Sequence, residues 1–145
     1  MTINVKNGHY GRNFHVVHDA GDITRFKGVE TSEGLACPLI LGSTMLAHTL
    51  EMPAGLVVPE HPETEESMVY TLSGNWILIV DGLRHPMGPG SLHWLNEGAI
   101  AGCEVPGDAP ALVLAFMRVK NNEEKRRATI DASGLYVSIK NAYDA

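Results

Sequence analysis

The sequence has few cysteines, few basic residues and no long hydrophobic run, and each absence excludes a class of protein. Its two cysteines, Cys37 and Cys103, are too few for a disulfide scaffold and form no Cys-x-x-Cys pair, so both are predicted to be small buried side chains. No apolar run approaches the roughly 18 residues that a membrane-spanning helix needs, and the N-terminus lacks the hydrophobic core of a signal peptide. We therefore expect a cytoplasmic protein without a membrane partner.

Basic residues are scarce as well, since 11 Lys and Arg stand against 17 Asp and Glu, for a formal net charge of −6. Without a basic stripe to neutralise phosphates, nucleic acid is not an expected partner. The cluster from Lys125 to Arg127 follows two glutamates and is typical of a solvated turn. The chain also lacks a Gly-x-Ser-x-Gly elbow, a phosphate-binding glycine loop and a recognisable Cys-His signature, so those enzyme classes have no support.

The residues that are present predict an all-β protein. A chain of 145 residues with 44% hydrophobic content is long enough for a single domain, covering residues 1–145. Short strand-like runs are separated by Gly, Pro, Asn and Asp, and Asp81-Gly82 predicts a tight hairpin. Such strands can pack as two antiparallel sheets, with an irregular N-terminal arm before them and a C-terminal tail that holds an edge strand at 135–139. The predicted core strands are 37–41, 45–52, 67–72, 75–80, 91–95 and 111–119.

One of these runs bears on the oligomeric state. The residues from Trp76 to Val80 are apolar on both faces of the predicted strand, whereas a strand with one solvated face would alternate. In a small sandwich the second cover is often another subunit. We therefore predict a homodimer.

The segment from Gly55 to Gly74 resembles the first signature of the cupin superfamily. That signature reads Gly, five residues, His-x-His, three or four residues, Glu, six residues, Gly. Gly55, His61 and Gly74 keep their positions, whereas Glu63 replaces the second His and Ser67 replaces the Glu. The resemblance implies a cupin-type double-stranded β-helix, or jelly roll barrel, conserved over about residues 37–119, usually dimeric and with a cavity that holds a divalent metal.

His61 and Glu63 are the first candidate metal ligands. Successive side chains of a strand alternate, so these two point to the same face. An imidazole nitrogen and a carboxylate oxygen are suitable ligands for Fe, Mn, Ni or Zn, and one further ligand would complete a facial triad with open positions for substrate. The identity of the metal stays open.

His93 is the candidate third ligand. The second cupin signature, laid from Gly90, has Ala101 where its histidine should stand. The segment 85–96, His-Pro-Met-Gly-Pro-Gly-Ser-Leu-His-Trp-Leu-Asn, resembles the corresponding stretch of the ectoine synthases, which are metal-dependent cupins. In that family a Tyr at the position of His93 faces the cavity and contributes to the metal site, which implies an inward His93. The other two ligand positions of that family fall on Ser67 and Ala101, so ectoine synthesis is not inferred.

These residues predict a small metal-dependent enzyme acting on an organic small molecule. The ion would polarise a substrate carbonyl, enol or carboxylate, and the reaction would be dioxygen insertion with iron(II), or isomerisation, cyclisation or elimination with a redox-inert ion. Ionisable side chains near the signature would supply a general base, a general acid or an orienting donor. The candidate catalytic residues are Glu65, Glu66, Tyr70 and His48.

Two alternatives stay open on the sequence alone. The altered ligand set is typical of a cupin that has lost its metal and binds a small ligand, with His61 and Glu63 in a polar loop. A third hypothesis is metal-free acid-base catalysis by a His and a carboxylate, as in the sugar epimerases of this superfamily. Without a functional role, His48 would be a core histidine among apolar neighbours, His93 a partly buried or surface histidine, and Glu65 and Glu66 solvated side chains.

Overall fold

In the computed structural model, residues 3–5, 8–11, 13–22 and 28–119 are described, and every regular element within these ranges is a β-strand. Within the same ranges there is accordingly no helix long and apolar enough to cross a membrane. The cytoplasmic location stays a prediction. The strands are β1 (Ile3–Val5), β2 (Gly8–Gly11), β3 (Phe14–Val17), β4 (Val29–Thr31), β5 (Gly34–Leu41), β6 (Met45–Met52), β7 (Val57–Pro62), β8 (Ser67–Ser73), β9 (Trp76–Val80), β10 (Leu83–Met87), β11 (Leu92–Leu95), β12 (Ile100–Glu104) and β13 (Ala111–Arg118).

Two antiparallel sheets form the barrel. One has six strands in the order β11-β8-β13-β6-β5-β4, and the other has four in the order β10-β9-β12-β7. Alternate side chains of both sheets meet in a single core, to which the six-stranded sheet contributes Leu46 and Val113 and the four-stranded sheet Trp76 and Leu78. The prediction of an all-β jelly roll is confirmed, because each sheet buries one face against the other.

The six core strands predicted from the sequence correspond to six of the ten barrel strands, whereas β4, β7, β10 and β12 are not among them. The predicted strand 45–52 coincides with β6, and the predictions for β8, β9, β11 and β13 differ from the structure by one residue at one end. β5 begins earlier than expected, at Gly34. The predicted hairpin is also present: Asp81 and Gly82 have φ of +51° and +75° and join β9 to β10 as a two-residue turn.

The N-terminal part of the chain differs from its prediction. In place of an irregular arm, β1, β2 and β3 form a separate three-stranded antiparallel sheet. These strands are short and pair through their backbones between segments adjacent in the chain, and the sequence shows little hydrophobic periodicity over them. The edge strand expected at 135–139 lies outside the described residues.

Candidate functional site

A cavity of about 160 Å³ lies between the two sheets and opens at one end of the barrel. Its walls are mainly apolar core side chains, and its polar groups are three histidines, three glutamates, a cysteine, Ser67 and Thr64. A cavity of this kind, with a few convergent polar groups, is the usual form of a small-molecule site. The apolar wall residues include Leu50, Met52, Leu78, Leu95 and Val113.

His61 lies at the mouth of the cavity between two carboxylates. Its Nε2 is 3.8 Å from Glu33 Oε1 and 3.9 Å from Glu63 Oε1. Its Nδ1 lies 3.0 Å from the carbonyl oxygen of Pro59 and donates to it, since a carbonyl oxygen only accepts. In the neutral ring Nε2 therefore carries the free lone pair. The side chains of His61 and Glu33 are 43% and 40% exposed, so solvent and ligands reach this cluster directly.

A β-bulge on β7 brings His61 to the cavity. His61 pairs with Ala101 and Val58 pairs with Cys103, so two residues of β7 stand opposite the single residue Gly102. The extra residue changes the alternation, and Val58 and His61 both line the cavity although they are three positions apart. Gly102 makes the bulge possible, because a Cβ there would lie 2.4 Å from the carbonyl oxygen of Val58.

Glu33 was not among the residues that the sequence singles out. It lies in the tight turn between β4 and β5, where its backbone N–H donates to Thr31 Oγ1 at 3.2 Å and the Thr31 hydroxyl donates to the carbonyl oxygen of Gly34 at 2.8 Å. Gly34 has φ of +129°, which only glycine adopts readily. The pattern Thr-Ser-Glu-Gly is a turn signal, but it does not reveal that this turn lies over the cavity mouth.

The environment of Glu63 favours its protonated form. Burial raises the pKa of this carboxyl above its usual value, the negative charge of Glu33 raises it further, and His61 acts in the opposite direction. Glu63 therefore keeps its proton to a higher pH than a free glutamate does.

Two more histidines lie deep in the cavity. His93 on β11 pairs with Val69, Val69 with Ala115, and Ala115 with His48 on β6, so the two imidazoles belong to the same cross-strand row of the six-stranded sheet. All four residues line the cavity. The His93 ring packs edge-on against Trp76 with ring centroids 5.6 Å apart.

Both deep histidines are neutral at ordinary pH. Burial lowers the pKa of His48 and of His93 to about 4. The Nδ1 atom of each ring is buried and has no hydrogen-bond partner. Since a buried N–H without an acceptor is less tolerated than an unpaired lone pair, we assign the proton of each ring to Nε2. Each neutral imidazole then carries its hydrogen-bond donor at Nε2.

Known structures resemble this barrel closely enough to define its fold. An RmlC-like cupin from Shewanella frigidimarina is 12% identical, with a TM-score of 0.59, over 70% of this chain and 90% of that chain. A polyketide cyclase from Streptomyces resistomycificus is 19% identical, with a TM-score of 0.60, over 66% and 75%. A predicted oxalate decarboxylase from Thermotoga maritima is 18% identical, with a TM-score of 0.59, over 68% and 96%. The chain has the cupin fold.

Comparison with family models and with curated protein sequences gives no match. At these identities the structural likeness establishes the cupin fold and leaves the function to be argued from the site. The local resemblance of residues 85–96 to the ectoine synthases stays a prediction.

The cupin barrel brings some of the candidate catalytic residues to the cavity and directs others away. His48 and Glu65 line it. Tyr70 follows the inward Val69, so strand alternation puts it on the outer face of the six-stranded sheet, where it is 39% exposed. Glu66 accepts a hydrogen bond from Trp94 Nε1 at 2.8 Å on the outer surface. Tyr70 and Glu66 are therefore corrected from candidate catalytic residues to surface residues.

Cys103 lines the cavity but is not suited to nucleophilic chemistry. Burial raises the pKa of its thiol to about 12, and the negative charges of Glu33, Glu63 and Glu104 add to the effect. The reactive form of cysteine is the thiolate, which is nearly absent at neutral pH under these conditions. The thiol therefore acts as a small apolar wall.

The predicted metal ligands meet only in part. His61 and Glu63 lie together at the mouth, and His93 lies deeper in the cupin barrel against Trp76. Within residues 3–5, 8–11, 13–22 and 28–119, no group of three or more His, Cys, Asp and Glu side chains is arranged to hold a metal ion. The set His61, Glu63 and His93 thus does not fit a metal as placed. Metal binding stays a prediction.

Proposed function

We propose that this cupin is a small-molecule enzyme that transfers a proton to and from a carbon atom next to a carbonyl group, in an isomerisation, cyclisation or elimination. The observation that carries the proposal is the position of His61, whose Nε2 lies between two carboxylates at the mouth of a mainly apolar cavity. A histidine held in that way is a suitable general base.

The first half of the reaction uses the mouth of the cavity. His61 accepts the proton at Nε2, while its Nδ1–H stays bonded to the carbonyl oxygen of Pro59. The imidazolium that forms lies within 4 Å of oxygens of Glu33 and Glu63, and their charge stabilises it. The same imidazolium then returns the proton to a different carbon or to a leaving group.

The second half uses the depth of the cavity. Removing a proton next to a carbonyl places negative charge on the carbonyl oxygen, and a fixed N–H donor stabilises that charge. His48 and His93 are neutral donors, since burial lowers the pKa of both to about 4. A neutral imidazole can donate this hydrogen bond from its N–H group, a role established for other enzymes.

Deuterium exchange tests the proposal without knowledge of the natural substrate. The protein is incubated in D₂O with a panel of small aldehydes and ketones, and incorporation next to the carbonyl is followed by NMR. We expect exchange above the buffer rate for some members, reduced at least about 100-fold in His61→Gln because a general base contributes on that order. The control His85→Gln changes an exposed histidine on β10 and should exchange like the parent.

Two outcomes would count against the proposal. Exchange at the buffer rate with every member would leave the barrel as a binding protein, the alternative that the sequence also offers. Equal exchange in His61→Gln and the parent would remove His61 from the mechanism.

Elemental analysis addresses the metal ion that the sequence predicts. His61 supports that prediction in one respect, since metal-binding imidazoles usually donate their other N–H to a carbonyl or carboxylate. About one equivalent of Fe, Mn, Ni or Zn in tag-free protein, lost in His61→Gln, would favour the metal-dependent enzyme. Protein that holds far less and takes up no added ion would favour acid-base catalysis by the side chains alone.

A further inference from the structure

The cupin barrel carries an unusual charge for its size. Residues 28–119 contain eleven Asp and Glu side chains and only two Lys and Arg, so most of the basic residues of the chain lie outside this range. Of the two, Arg84 pairs with Glu104, and Arg118 lies at the exposed end of β13. Neither lines the cavity. A strongly negative barrel attracts cations and repels anions.

The acidic side chains are concentrated at the cavity mouth. Glu33, Glu63 and Glu65 all line it, and among the residues that the structure describes no Lys or Arg does. The ion-pair partner that the structure gives to Glu33 and Glu63 is the single imidazole of His61. An oxygen of each carboxylate lies within 4 Å of the same His61 Nε2 atom, so the two like charges are close together and repel each other. A bound cation would relieve that repulsion.

A second, independent feature of the same cavity indicates a ligand. The imidazole of His48 lies deep in the barrel with its Nδ1 buried and unpartnered, a costly arrangement that protein interiors normally avoid. It lines the cavity together with apolar side chains such as Leu50 and Val69. The cavity therefore matches a molecule with a charged end at the mouth, a mainly apolar body and room for a hydrogen-bonding group at His48.

We propose that the cavity takes a small organic cation, a protonated amine or a quaternary ammonium compound, with its charged group beside the carboxylates of Glu33 and Glu63 and its apolar part against the walls. This proposal adds a substrate class to the proposed function. It rests on that function only in that both use the same cavity. It excludes small carboxylate anions, which would meet three glutamates without a balancing cation.

Three probes of similar length and different charge test the proposal on the full chain: n-butylammonium, 1-butanol and butyrate. Their affinities are measured by calorimetry or NMR titration at pH 7 and low ionic strength. We expect n-butylammonium to bind at least about tenfold more tightly than 1-butanol, with butyrate the weakest. Raising the salt concentration should weaken only the cation, because screening acts on the charged pair.

Matched variants locate the charged group. Glu33→Gln and Glu63→Gln should each weaken n-butylammonium by about fivefold, as for a partly exposed ion pair, and leave 1-butanol unchanged. The control Asp108→Asn removes the same charge from an exposed turn away from the cavity and should leave all three affinities unchanged.

Several results would overturn the proposal: similar affinities for the three probes, a preference for butyrate, no binding of n-butylammonium, or full binding in both glutamine variants. Displacement of n-butylammonium by micromolar Mn²⁺, Ni²⁺ or Zn²⁺ would also overturn it, because the mouth would then be a site for an inorganic ion. These measurements need no turnover. If deuterium exchange fails, a positive cation-binding result therefore still stands. If cation binding fails, a positive exchange result still stands.

Discussion

Replacing His48 with leucine should change how the stability of the barrel depends on pH. His48 lies on β6 between Leu46 and Leu50 on the cavity side of the strand, so leucine suits its surroundings. Burial lowers the pKa of its imidazole from 6.5 to about 4. In the unfolded chain this histidine titrates at its ordinary pKa, and the difference between the two states makes stability depend on pH.

The sign and size follow from that difference. The folded-state pKa is the lower one, so the neutral imidazole contributes stability that is fully present above pH 6.5 and is lost as the pH falls toward 4. Between pH 7 and pH 5 the unfolded chain takes up a proton that the folded protein refuses, which lowers the free energy of unfolding by about 2 kcal/mol. His93 contributes in the same direction, and Glu63, whose pKa is raised, in the opposite direction.

Urea denaturation at pH 7 and pH 5 measures the effect at a fixed protein concentration. Every other group is common to parent and variant, so the difference between them isolates His48. We expect His48→Leu to lose about 2 kcal/mol less stability than the parent over this interval. The control His85→Leu replaces an exposed histidine. A parent-to-variant difference that is the same at both pH values would refute the reasoning, since His48 would then not be held neutral by burial.

Three further predictions concern the frame of the site and its assembly. Gly102→Ala should lower the free energy of unfolding by about 2 kcal/mol and shift the NMR signals of His61. The new Cβ would lie 2.4 Å from the carbonyl oxygen of Val58, so the bulge would have to move. An unchanged melting temperature would contradict this account of the bulge. Thr71→Val should lower the free energy of unfolding by about 1–3 kcal/mol in chemical denaturation. The reason is that the buried Thr71 Oγ1 accepts hydrogen bonds from Trp76 Nε1 at 2.9 Å and from Ser91 Oγ at 2.8 Å. Ser91→Ala leaves the Trp76 bond in place and should lower it less. The homodimer that the sequence predicts from the apolar strand 76–80 should appear in analytical ultracentrifugation, and a monomeric parent would contradict it. The structure adds an apolar surface on the outer face of the six-stranded sheet, where Trp94, Met68 and Phe116 are paired neighbours and are 53%, 51% and 38% exposed. We expect Met68→Glu to dissociate the dimer.

The sequence predicts the barrel better than the site because the two depend on different information. Strand positions follow from local alternation and turn residues, as for β6 and for the Asp81-Gly82 hairpin. The two-residue spacing of His61 and Glu63 is also local, and both side chains line the cavity.

The rest of the site depends on contacts between distant strands. The direction of His93 is ambiguous locally, since its neighbour Trp94 is the larger apolar residue; Trp94 instead lies outside, where its indole N–H bonds to Glu66. The Gly102 bulge and the position of Glu33 over the mouth follow from how strands meet across the barrel. No pattern within a single strand contains that information.

The row that joins His93 to His48 has a consequence for how this cavity can change. Val69 and Ala115 lie between the two imidazoles, and Ala115 is the smallest side chain of the four. A bulkier residue at position 115 would narrow the space between the two imidazoles without removing a backbone hydrogen bond of the sheet. The side chain at position 115 on β13 therefore helps to set the size of molecule that can reach both histidines, so this position is a suitable place to change the size selectivity of the barrel.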